Sequence, residues 1–148
     1  MSMLSSPLSM AKKLLQKHEG LRLRPYIDTT GNETIGYGRN LKAEGISASE
    51  AEHLLANDIV NHYKALTDNL PWFKSLDDVR QLALLDMCFN LGIDGLLRFK
   101  NMLEAIEKQQ WTRAAICALS SKWATQVHGR AVDISNMLQT GELPDDIS

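Results

Sequence analysis

Apolar positions recur along this chain with two different periods. Met10, Leu14 and Leu15 fall on one stripe of a helix over residues 10–18, with Ser9 placed to cap it and Gly20 to stop it. From Leu23 to Tyr37 the pattern changes to two short extended runs, 24–28 and 33–37, joined by Thr29, Thr30, Gly31 and Asn32, which predicts a β-hairpin with Gly31 at its tip. Beyond Gly45, Ser47 and Glu50 have the spacing of a capping box, and Leu54, Leu55, Ile59, His62 and Leu66 share one face of a long helix that Pro71 ends. Ser75 or Asp77 caps the next helix, which is apolar almost all round from Val79 to Leu91 and so belongs at the centre of a core. Gly92 and Gly95 bracket a turn. Three shorter helices follow over 101–108, 111–120 and 129–140, with Gly141 and Pro144 as stop signals.

These elements predict an α+β chain, mainly α, in one domain of 148 residues with two lobes. The N-terminal helix and hairpin occupy about 9–46, a connecting helix about 47–69, and a helical lobe about 70–141. A hairpin is marginal in water and needs helices to lean on. A groove between the lobes is then the expected ligand site.

Composition narrows the function. With 44% hydrophobic and 23% charged residues the chain is ordinary globular protein, neither disordered nor built of membrane spans. A net charge of −2 offers no basic field for nucleic acid. Lys12, Lys13, Lys17, Arg22 and Arg24 form a modest basic patch, equally readable as a solvated face. No stretch suits a signal-peptide core or a bilayer span, so synthesis in a cytoplasm is expected, without membrane insertion. Cys88 and Cys117 read as two unpaired thiols, and His53, His62 and His128 lack metal-site spacing, so neither metal nor cofactor is expected.

Three polar residues gather at one edge of this plan: Glu19 at the end of the first helix, Asp28 on the first strand and Thr34 on the second. With Gly31 at the tip, Asp28 and Thr34 would stand directly opposite each other and could hold one water between them. Glycoside hydrolysis needs a carboxylic acid to protonate the leaving oxygen and a carboxylate across the sugar to activate water or attack. Glu19 and Asp28 could supply that pair, provided burial or apolar walls keep Glu19 protonated. Two carboxylates nine residues apart also describe ordinary surface.

At these residues the sequence resembles the phage lysozyme, or endolysin, family of muramidases. The likeness lies in His18-Glu19-Gly20-Leu21-Arg22-Leu23, then Tyr26, Asp28 and Thr34-Ile35-Gly36-Tyr37-Gly38, and continues through 80–92, Phe99-Lys100-Asn101, Trp111 with Ala114 and Ala115, Ser121-Lys122-Trp123 and Arg130-Ala131. The resemblance implies a two-lobed lysozyme-like fold that hydrolyses the β-1,4 linkage between N-acetylmuramic acid and N-acetylglucosamine in peptidoglycan. It makes Glu19 the general acid, Asp28 the opposing carboxylate and Thr34 a helper positioning the water, and it places Arg130 beside Glu19. Members of this kind resemble inverting enzymes. Such a protein, acting as a monomer on peptidoglycan glycan strands, would reach the periplasm through a holin-type release factor and lyse its host.

Tyr26, Tyr37, Asn90 and Trp123 are the candidate sugar contacts, since aromatic faces stack on pyranose rings and amides bond their hydroxyls, and the resemblance adds Arg130 to the substrate-binding residues. Trp72, Trp111 and Phe89 read as core. The family commonly carries His where this chain has Arg39, which substitutes a permanent cation. The segment between Gly38 and Ser47 is short, so any third strand is brief. His18 and Asp133 stand where larger relatives have an acid and an arginine, and are expected to pair. Two other readings stay open: a wall-binding module without turnover, and a structural component that perforates wall during assembly. A lysozyme-like region filling most of the chain favours a free enzyme.

Overall fold

A computed structural model describes residues 5–147; the start of the Ser-rich segment read from Met1 lies outside the described residues. Helix α1 is Ser5–Glu19, longer at its start than the residues 10–18 expected from periodicity, and Ser9 lies inside it rather than capping it. Pro7 does not oppose this extension, because an amide in the first turn of a helix has no intrahelical partner to lose. Leu14 and Leu15 of the expected apolar stripe are each 53% exposed.

Strands β1 (Arg22–Ile27), β2 (Glu33–Gly36) and β3 (Arg39–Asn40) form an antiparallel sheet in sequence order. Tyr26 pairs with Thr34 and Ile27 with Glu33, and the Asp28 amide donates to Asn32 O at 2.9 Å. The hairpin is therefore centred on Thr30, one residue before the expected Gly31. This corrects the placement of Asp28 directly across from Thr34: Tyr26 holds that position, and Asp28 lies two residues further along the same strand direction. Alternation keeps Asp28 and Thr34 on one face as diagonal neighbours, a spacing of about 7–8 Å between backbones. The cause is local, since Asp28 begins the turn with its own side chain.

Strand β3 is as brief as expected. It runs directly into α2 (Leu41–Glu44), a short helix absent from the sequence reading, whose cap is Asn40 Oδ1 accepting from the Ala43 amide at 3.0 Å. Helix α3 (Ala48–Asn69) opens on the predicted capping box: Ser47 N donates to Glu50 Oε1 at 2.8 Å and Glu50 N to Ser47 Oγ at 3.1 Å. The chain divides into two compact units within this helix, Met1–Glu52 and His53–Ser148.

In the second unit a short 3-10 turn, Phe73–Ser75, leads to α4 (Asp78–Leu97), which Asp77 rather than Ser75 caps. The helix breaks at Gly92 (φ 75°, ψ 163°), where the sequence predicts a turn. Helices α5 (Lys100–Glu107), α6 (Trp111–Leu119) and α8 (Gly129–Thr140) lie close to their predicted spans. Helix α7 (Lys122–Val127) was not predicted; six residues are too few to show periodicity, and its one signal is Ser121, whose Oγ accepts from the Ala124 amide.

Leu66, Phe73, Leu84, Met87, Leu96, Ile106, Ile134 and Leu138 fill the core of this unit, each at most 1% exposed. Phe89 is not among them, contrary to expectation: at 40% exposed it lies on the outer side of α4 against the His62 ring. Trp72 and Trp111 are half-buried against the core. The Arg80 guanidinium stacks 3.8 Å over Trp111, donates to Leu138 O at 2.7 Å and Gln139 O at 3.0 Å, and meets Asp77 Oδ1 at 3.1 Å. One side chain thus fastens the end of α8 to the start of α4. Cys88 is buried and Cys117 half-buried, both free thiols.

Candidate active site

Glu19 is the last residue of α1, exposed, with its carboxyl lying against the turn between β2 and β3 at Gly38. The burial expected around Glu19 is not seen among the described residues.

Asp28 is half-buried, and its Oδ1 accepts three hydrogen bonds: from Asn32 N at 2.8 Å, Thr30 N at 2.9 Å and Thr30 Oγ1 at 2.9 Å. The Asn32 amide first, then the Thr30 hydroxyl, hold this carboxyl below its ordinary proton affinity, because donors favour the charged form. Asn32 Nδ2 in turn donates to Thr30 Oγ1 at 2.9 Å. Thr30 and Asn32 were not singled out from the sequence; the signal was present as Asp28-Thr29-Thr30-Gly31-Asn32, a turn in which an aspartate captures the amides that follow it.

Thr34 is 2% exposed and its Oγ1 donates to Asn32 O at 2.9 Å. With its one hydrogen so engaged, the hydroxyl has only lone pairs left to offer. Tyr26, beside it in the register, carries the Arg22 guanidinium 4.7 Å from its ring centroid, and Tyr37 is 46% exposed in the turn between β2 and β3. That turn is anchored from Arg39, whose Nη1 meets Glu50 Oε1 at 2.6 Å and donates to Gly45 O at 3.2 Å. The Arg39 hydrogen bond, followed by the Ser47 amide, pulls the Glu50 carboxyl down to about 2.

The remaining sequence candidates belong to the second unit. Trp123 is a correction: it is 5% exposed, lies edge-on to Phe99, and donates Nε1–H to Asn90 Oδ1 at 2.8 Å, so it is a core residue rather than a sugar platform. Asn90 is exposed, with its carbonyl taken by Trp123 and its amide N–H groups left over. Arg130 Nε donates to Asp86 Oδ1 at 2.6 Å, a partner the sequence did not suggest. Among the described residues no three His, Cys, Asp or Glu side chains are grouped to hold a metal, and no helix is long and apolar enough to cross a membrane.

A small antiparallel sheet presents Asp28, whose turn favours its charged form, and a buried Thr34, beside a helix that ends in Glu19. The sequence model of the phage lysozyme family matches residues 16–136, and the chain belongs to that family. It is 31% identical to "Probable T4-type lysozyme 2" of Dictyostelium discoideum, across 92% of this chain and 97% of that protein, and 30% identical to "Probable T4-type lysozyme 1" with the same coverage. It is also 28% identical to the "Pre-baseplate central spike protein Gp5" of Enterobacteria phage T4, where the match takes in 28% of that protein.

Proposed function

We propose that the chain hydrolyses the β-1,4 linkage between N-acetylmuramic acid and N-acetylglucosamine in peptidoglycan. Glu19 is the general acid, and Asp28 with Thr34 holds the attacking water. The observation that carries this reading is the acceptor character of the hairpin: Asp28 is ionised by its own turn, and the Thr34 hydroxyl hydrogen is committed to Asn32 O. A water donating one hydrogen to each of them turns an oxygen lone pair outward, toward the anomeric carbon. Glu19 then protonates the departing glycosidic oxygen, and Asp28 takes up the proton the water loses. A sugar laid over Glu19 shields its carboxyl from water. In the proposed reaction water rather than Asp28 attacks, so the anomeric carbon is inverted.

Tyr26, Tyr37 and Asn90 are the proposed sugar contacts. The biological setting we propose is lysis of a host cell after release through a holin-type partner.

Release of reducing ends from purified peptidoglycan tests the assignment. Glu19→Gln should lose about 100-fold to 10,000-fold of the rate, the usual share of general acid assistance, with an unchanged melting temperature. Near-normal release would overturn it. Asp28→Ala should lose more than Thr34→Ala; the opposite order means the water is held differently. Anhydro sugars among the products would identify a transglycosylase instead.

A further inference from the structure

Two glycines flank Tyr37, Gly36 at the end of β2 and Gly38 in the turn to β3, and both hold a positive φ, +70° at Gly36 and +76° at Gly38. An L side chain is strained at either. Their surroundings differ. A Cβ added at Gly36 meets nothing within 4 Å, whereas one at Gly38 would lie 2.7 Å from Glu19 Oε1, 2.9 Å from Glu19 Cδ and 3.2 Å from Glu19 Cγ. The whole carboxyl end of Glu19 rests on the place a side chain would occupy.

The backbones on both sides are held, so a clash at Gly38 falls on the exposed Glu19 side chain, which would swing away from the place it occupies. The Glu19 backbone is fixed at the end of a 15-residue helix. On the other side, Arg39 follows Gly38 directly, pairs with Ile35 in the sheet and is tied to Glu50 at 2.6 Å and Gly45 O at 3.2 Å. The turn is thus held at its far end while its near face meets the acid.

We infer that Gly38 is a positioning residue for Glu19: its bare backbone is the wall that sets where the carboxyl stands, and so where its proton is delivered. The inference rests on the reading of Glu19 as the acid. A wall of this kind acts on the chemical step and leaves sugar binding alone, since a displacement of about 1 Å in a reacting group can cost about 100-fold in rate.

Gly36→Ala is the internal control, with a positive φ of its own and open space around it. Gly38→Ala should lower kcat by about 100-fold, leave KM nearly unchanged, and displace the alkaline limb of the kcat–pH profile, which reports the acid in the bound complex. Gly36→Ala should lower Tm while keeping kcat and the pH profile. Equal Tm losses with kcat retained in both variants would make Gly38 a turn residue and overturn the inference. A rise in KM at constant kcat would also overturn it, assigning Gly38 to sugar binding. Should Gly38→Ala fail to fold, the wild-type protein decides: an NOE between Gly38 Hα and Glu19 Hγ is required, and its absence refutes the contact. Glu19→Gln is run alongside. Retained hydrolysis there removes the acid reading and this inference with it, whereas its loss beside a fully active Gly38→Ala removes the inference alone.

Discussion

In the second unit Leu66, Phe73, Leu84 and Met87 are fully enclosed by their neighbours, while in the first, Thr34 is the one buried residue among those described. What holds the first unit in place is polar: three donors on Asp28 Oδ1, the reciprocal Ser47 and Glu50 cap, and the Arg39–Glu50 pair. Glu19, Asp28 and Thr34 all lie in this polar unit. Directional contacts fix a side chain's angle, and close packing fixes a domain's stability. The contrast therefore separates two kinds of damage, one to folding and one to chemistry.

Four expected outcomes test that separation, from the largest effect to the smallest. Phe73→Ala, in the core at 0% exposure, should cost about 3–5 kcal/mol in denaturant titration. Assayed well below its melting temperature it should keep wild-type turnover per folded molecule; a catalytic defect there would break the contrast. Arg80→Met strands Leu138 O and Gln139 O without their donor, a loss of about 1–3 kcal/mol, again with turnover retained. Ser47→Ala removes a cap worth about 1 kcal/mol, and because Glu50 serves both the cap and Arg39, it should reduce turnover as well as stability. An unchanged turnover would show that the anchor at Arg39 is dispensable.

The smallest effect is acid sensitivity. The Glu50 carboxyl has a folded value of about 2 against an ordinary 4.5, so its contribution is complete above the ordinary value and is lost as pH falls through that window. Asp28, also lowered, shifts stability in the same direction. Amide exchange should report the turns around Asp28 and Arg39 loosening in that range before the core amides of α4. Added salt should soften the Arg39 effect, since this pair is exposed.

Local chemistry was legible in the sequence. The Ser47 cap and the break at Gly92 were readable because their causes lie within a few residues. The hairpin was located, yet its centre was set at Gly31, since a glycine marks a turn more visibly than the aspartate that organises it. That one-residue error moved Asp28 from a diagonal position to a facing one. Partners distant in sequence could not be read at all. Trp123 looked like a sugar platform because an aromatic residue shows its type and not its burial, and Arg130 gave no hint of Asp86, 44 positions away. Gly38 stood out only as part of a family pattern; its contact with Glu19 depends on how a turn meets a helix end.

The three donors on Asp28 come from residues 30 and 32. A carboxylate whose charge is set by its own loop is insulated from substitutions elsewhere, and carries its ionisation wherever that loop is drawn in evolution. The Glu19 carboxyl is exposed and receives no hydrogen bond from a described residue. The proposed pair thus has one member held by its own loop and one left open to whatever binds beside it.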